Sequence, residues 1–342
     1  MNLRPLRFLH LVLALVVVGC GSAAPSVAPR VVEGTATAEP SSGLPAPRSA
    51  APSSSQAAES SLVQARFRVG SEPLHLAVAD GAVWVSNADM TVSRLDVATG
   101  SVVTIPVPGF PGGITGDEDG IWVSMNRDAG GAPGRSVIRL DPATGAVLAE
   151  SAVGEGPRGV AFAAGSAWVA SGLGASVTRV TPTGETTSIP VDGQPSGIRA
   201  IDGQVWVARR TETSLVRIDP RTGDIAGTVE VGERTVWLAG TPDTLWIAGW
   251  QVPTAFRIEV TSGEVTPIDV GAPVYPGMGL LDGAAWVPAG SEIVRVDPAT
   301  ATVSTRIDLG ASVGDIEPTA EGDGLWVLLP YTGELVLVQP AD

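Results

Sequence analysis

His75 is the one histidine beyond the first twenty residues of this 342-residue chain, and an imidazole at neutral pH can move a proton or hold a metal. A paired-histidine metal centre therefore lacks its second ring. With Cys20 the single cysteine, a multi-cysteine zinc site and an intrachain disulfide are excluded too. Glu233, Asp315 and Glu317 fall in segments able to reach His75, but no spacing among them compels a site. Gly310-Ala311-Ser312-Val313-Gly314 spells G-x-S-x-G. A nucleophile elbow needs a strand running into a helix, whereas this stretch stands where the other repeats carry loops reading VGEGP, DGQP or VGAP. Asp117-Glu118-Asp119 lacks the alternating ligand spacing of a calcium loop and is read as a solvated turn. The residues call for no cofactor, no metal and no catalytic set.

A second group of residues suits recognition rather than catalysis. Nine tryptophans accompany only two tyrosines and five phenylalanines, and seven of the tryptophans recur at a regular interval. The aromatic outliers are Phe110, Trp237, Trp250, Tyr275 and Tyr331; Arg158, Arg199, Arg209 and Arg210 are the arginines nearest to them in the repeat scheme. Aromatic residues and arginine dominate binding hot spots. With His75, these ten form the candidate ligand-binding set. The competing expectation is that Trp237 and Tyr275 plug a central channel and the arginines are merely solvated.

The repeats must position these side chains. Trp84, Trp122, Trp168, Trp206, Trp246, Trp286 and Trp326 are 38, 46, 38, 40, 40 and 40 residues apart. Their contexts read WVSN, WVSM, WVAS, WVAR, WIAG, WVPA and WVLL. An Asp-Gly turn signal stands just upstream in most repeats, for example Asp80-Gly81, Asp202-Gly203 and Asp282-Gly283. About ten residues downstream comes an Arg-x-acid strand, as in Arg94/Asp96, Arg139/Asp141, Arg217/Asp219, Arg257/Glu259 and Arg295/Asp297. DVATG, DPATG or DPRTG follows: the leading Asp caps the turn and glycine accepts φ > 0. Each repeat thus encodes four short strands, and four strands in ~40 residues, repeated radially, make a β-propeller blade.

The expected fold is all-β, a seven-bladed β-propeller over residues 62–342. The last repeat offers only three strands, ending at Leu335–Gln339, while Ala65–Gly70 looks like the missing fourth. The N-terminal strand should complete the last blade and remove two exposed edges. The repeated tryptophans should be packing, at ~150–250 Å² of burial each.

From residue 65 to 340 the WV(A/S) and RIDP-T-G pattern resembles the YVTN-type and streptogramin-lyase-like propeller families. The tryptophan-aspartate ending, kelch double glycine and sialidase Asp box are missing. The resemblance implies a propeller strongly and an activity weakly. Lyase members use histidines and a glutamate around a magnesium ion, and this chain departs from that with His75 alone. The enzyme expectation that survives is a lyase or hydrolase using His75 as a lone general base.

Residues 1–19 carry Arg4 and Arg7 before an apolar run, Phe8 to Val18, too short to span ~30 Å of hydrocarbon. Val17-Val18-Gly19-Cys20 resembles the lipobox of bacterial lipoproteins, which implies lipidation at Cys20 after cleavage of the signal. Loss of Arg4 and Arg7 would take the net charge from −15 to −17, which argues against nucleic acid. Residues 20–61 form an Ala/Ser/Pro-rich tether: 21–61 hold ten Ala, ten Ser and six Pro and no aromatic residue. The expectation is a non-catalytic module, lipid-anchored on the extracytoplasmic face of the membrane. Its partner would be a protein, a glycan or a small ligand held at the channel mouth.

Overall fold

The computed structural model describes residues 62–116, 119–274 and 277–340. They form seven four-stranded antiparallel sheets arranged as the blades of a propeller. Blade one shows the plan: Pro73–Ala79 innermost, then Ala82–Asn87 with the tryptophan, Thr91–Asp96 with the arginine, and Val102–Pro106 outermost. The inner strands of blades two to seven are Gly109–Gly116, Pro157–Ala163, Pro195–Ile201, Thr235–Gly240, Gly279–Leu281 and Ile316–Pro318. Each touches the inner strands of its two neighbours, and that of blade seven touches that of blade one, so the ring is closed.

The closing strand is Val63–Arg68, which begins slightly before the segment expected from sequence. It pairs antiparallel with Glu334–Val338, Phe67 opposite Leu335 and Arg66 opposite Val336. Arg66 is also ion-paired with Glu334 at 3.2 Å.

The core is divided into seven apolar clusters, each lying between two neighbouring blades, and each repeated tryptophan packs forward into the cluster it shares with the next blade. Trp84 thus meets Ile114, Val123 and Ile138 of blade two, and Trp326 of blade seven meets Leu76 and Val85 of blade one. No indole of the seven is more than 3% exposed. Burial on this scale stabilises by roughly 4–6 kcal/mol per ring before ordering entropy is subtracted.

Each tryptophan of blades one to six faces an arginine across the sheet, as Trp84 faces Arg94 and Trp206 faces Arg217. In blades one to four the guanidinium lies over the indole at 5.6–5.9 Å, a cation–π contact. The Arg-x-Asp recurrence is therefore structural.

The turns have the expected chemistry. Asp80-Gly81, Asp202-Gly203 and Asp282-Gly283 all have positive φ at both residues, the conformation of the two-residue hairpin turn. At the outer turns Asp96, Asp141 and Asp297 accept a backbone N–H from Thr99, Thr144 and Thr300 at 2.9, 2.7 and 2.8 Å. The threonine hydroxyls donate to the same carboxyls, and with the backbone bonds they hold all three below their usual range.

Candidate functional site

The inner strands do not run regularly into the channel mouth. In blades one to five the pairing register slips near the start of the strand, between Pro73 and His75, Pro111 and Ile114, Pro157 and Val160, Pro195 and Ile198, and Thr235 and Trp237. Such bulges re-aim side chains and recur beside functional sites. Here they present His75, Arg158, Ser196 and Trp237. Glycines let the blades close around them: a Cβ on Gly159 would lie 2.4 Å from Ser196 O, and one on Gly197 would lie 2.3 Å from Val236 O.

The channel beneath the mouth is spanned by side chains. Trp237 of blade five lies flat on the imidazole of His75 of blade one, with ring centroids 4.7 Å apart and planes 3° apart. Arg199 of blade four places its guanidinium 5.0 Å from the same indole and pairs with Glu317 of blade seven. His75 Nδ1 lies 3.3 Å from Oδ2 of Asp315, also of blade seven. A carboxylate only accepts, so Nδ1 is the donor. Asp315 is fully buried; its Oδ2 also accepts the Leu76 N–H at 3.2 Å, and its Oδ1 the Ile316 N–H at 3.0 Å. Burial, and then the charge of Asp315, raises Glu317 to about 7 against the opposing pull of Arg199.

Above this layer a cavity of about 140 Å³ is lined by His75, Arg158, Ser196, Arg210, Trp237 and Trp250. The Arg210 guanidinium stacks 4.3 Å from the Trp250 ring centroid. Burial holds Arg210 below the usual arginine range; the same holds for Arg158, aided by the like charges of Arg210 and Arg127. A second, apolar groove of about 270 Å³ shares His75 as a wall and continues over Leu74, Val313, Pro330 and Tyr331. Tyr331 is 78% exposed.

Of the candidate ligand-binding set, His75, Arg158, Arg210, Trp237 and Trp250 come together in one cavity and Tyr331 lies in the adjoining groove. The structure places Arg199 in the channel layer. Arg209 is 8% exposed and is held by Asp192 at 2.6 Å and by the Ser214 carbonyl at 3.2 Å. Phe110 pairs with Arg127 at the start of its strand and lines neither space. Tyr275, Cys20, Asp117 and Glu118 lie outside the described residues. Gly310–Gly314 is a loop between blades six and seven, not a strand–helix turn. Among the described residues no three metal-ligating side chains gather. Sequence reasoning did not foresee the Arg199–Glu317 pair or the Arg–Trp stacks; the recurrence of an arginine nine to eleven residues after the tryptophan in blades one and three to six was the signal for the stacks within blades.

No family model matches the chain, and no curated protein matches it. Solved structures do. Virginiamycin B lyase from Staphylococcus aureus aligns with a TM-score of 0.69 at 17% identity, over 81% of this chain and 99% of the lyase. Hydrazine synthase of Kuenenia stuttgartiensis aligns with a TM-score of 0.69 at 14% identity, over 79% of this chain and 96% of that one. A chain of the mitotic checkpoint complex reaches 0.70 at 11% identity, over 82% and 96%. With the seven sheets of this chain, these define the class of protein as a seven-bladed β-propeller, a fold that it shares with a lyase among others. At such identities the likeness is one of fold, and the fold hosts unrelated functions.

Proposed function

We propose that the chain is a lipid-anchored, extracytoplasmic binding module that holds its ligand at the channel mouth of the propeller. Residues 1–19 serve as signal, Cys20 carries the lipid, and residues 20–61 tether the propeller to the membrane. One observation carries the reading: Arg158, Arg210 and Trp250 line one concave space at the channel mouth. Trp237, by contrast, acts as the plug of the channel and as the floor of the cavity. The experiment is ligand or partner capture by the full chain against its Trp250→Ala and Tyr331→Ala variants, with melting temperature measured in parallel. Lost capture at unchanged melting temperature supports the reading; lost stability with intact capture refutes it.

The Asp315–His75 hydrogen bond favours a second reading, a propeller lyase or hydrolase. A carboxylate on Nδ1 orients the ring and leaves Nε2 to act as a base. Trp237 covers one face of that ring, so substrate would have to approach along its edge. Turnover that His75→Ala abolishes without loss of ligand binding would establish this reading.

A further inference from the structure

Resting on the channel-mouth reading, we infer that the ligand is a small organic oxoanion, a phosphate ester or a carboxylate, whose charged head sits between Arg158 and Arg210 and whose flat body lies on Trp250. The arginines around the mouth differ in their partners. Arg199 has Glu317, Arg209 has Asp192, and at the exposed rim Arg135 has Glu155, while Arg127 donates to the Gly131 carbonyl. Arg158 and Arg210 line the cavity, and among the described residues neither has a carboxylate within ion-pair distance. In a chain of net charge −15, two adjacent cations left without acids mark a local reversal of charge. Burial already disfavours both cations, and at Arg158 the like charges of Arg210 and Arg127 add to it; an anion between them relieves that cost.

The rest of the wall agrees. Ser196 and Trp237 are each 7% exposed, and Ser196 Oγ and Trp237 Nε1 have no hydrogen-bond partner among the described residues. Both atoms can donate. Of the two acids in the layer beneath, Asp315 is held by its three N–H donors and Glu317 by Arg199. The space of about 140 Å³ is some ten times what one water needs, which fits a planar solute rather than a polymer. Arginine presents a planar fork that matches carboxylate and phosphate oxygens, and Arg210 is already oriented by its stack on Trp250.

The test titrates phenyl phosphate, inorganic phosphate and phenol into the full chain in detergent, following tryptophan fluorescence and heat. Phenyl phosphate should bind roughly tenfold or more tighter than either half alone, and more weakly as salt rises. The R158A/R210A variant, both side chains reaching solvent, should lose about 30-fold or more for phenyl phosphate, the scale of removing one side of a charge pair, with phenol unchanged. Equal binding of phenol and phenyl phosphate, unmoved by the arginine changes, would overturn the oxoanion while the mouth still binds. Probe binding that Trp250→Ala leaves untouched would remove the mouth itself. Displacement of phenyl phosphate by phosphatidylglycerol carried in the detergent micelles would overturn the small solute in favour of a lipid headgroup.

Discussion

His75 and Trp237 stack across the central channel from blades one and five, their planes within 3° of each other. The contact joins inner strands that are not neighbours in the ring, so it braces the propeller where adjacent-blade packing does not reach. Arg199 lies against the same indole and continues the brace to Glu317 of blade seven.

Trp237→Ala should therefore destabilise by about 3–5 kcal/mol, as large aromatic truncations in cores do, and Trp237→Phe by less. Urea unfolding followed by circular dichroism measures both. A loss below ~1 kcal/mol for the alanine variant would show the brace to be dispensable.

Glu317 gives the fold a pH dependence of unusual sign. Its carboxyl is raised from 4.5 to about 7 in the folded chain, so the folded state binds the proton more tightly. The stability it contributes is fully present below about pH 4.5 and is lost as pH rises through about 7, by up to roughly 3 kcal/mol. The turn carboxyls Asp96, Asp141 and Asp297 are lowered from 3.8, so their contribution is present above that value and is lost as pH falls below it, on the acid limb. Glu317→Gln should flatten the slope of unfolding free energy between pH 5 and 7.5, read from denaturation midpoints.

Removing residues 62–68 should leave Glu334–Val338 as an unpaired edge and open the seam between blades seven and one. Size-exclusion chromatography should then give aggregate instead of a monomeric, cooperatively folding species.

Cys20→Ser should move the full chain from the membrane to the soluble fraction, while leaving phenyl phosphate affinity unchanged. Fractionation and titration of the released protein check the two halves separately.

How much of this was readable in advance depends on the range of the interaction. The blade is local: Asp80-Gly81, Trp84, Arg94 and Asp96 fall within 17 residues, and their repetition carries the fold and even the closing strand. The brace is not local. Arg199 and Glu317 are 118 residues apart and His75 and Asp315 are 240 apart, and one chain's spacing holds no record of such pairs. The bulges escaped notice because one extra residue per inner strand leaves the hydrophobic pattern almost intact. Arg209 and Arg210 are adjacent in sequence, but Arg209 is the last residue of the strand Gln204–Arg209 and Arg210 lies in the turn that follows. The end of the strand thus leaves Arg209 on Asp192 and Arg210 at the mouth.

The same adjacent pair supplies the most direct measurement: phenyl phosphate titration and thermal melting of the wild type, Arg209→Ala and Arg210→Ala. Arg210→Ala should bind about tenfold or more weakly, as for a lost charge contact, with its melting temperature unchanged. Arg209→Ala should lose about 1–3 kcal/mol of stability by leaving the part-buried Ser214 oxygens without their donor, and bind normally once folded. The reverse pattern, with Arg210 governing stability and Arg209 affinity, would contradict the division between a braced channel and a recognising mouth.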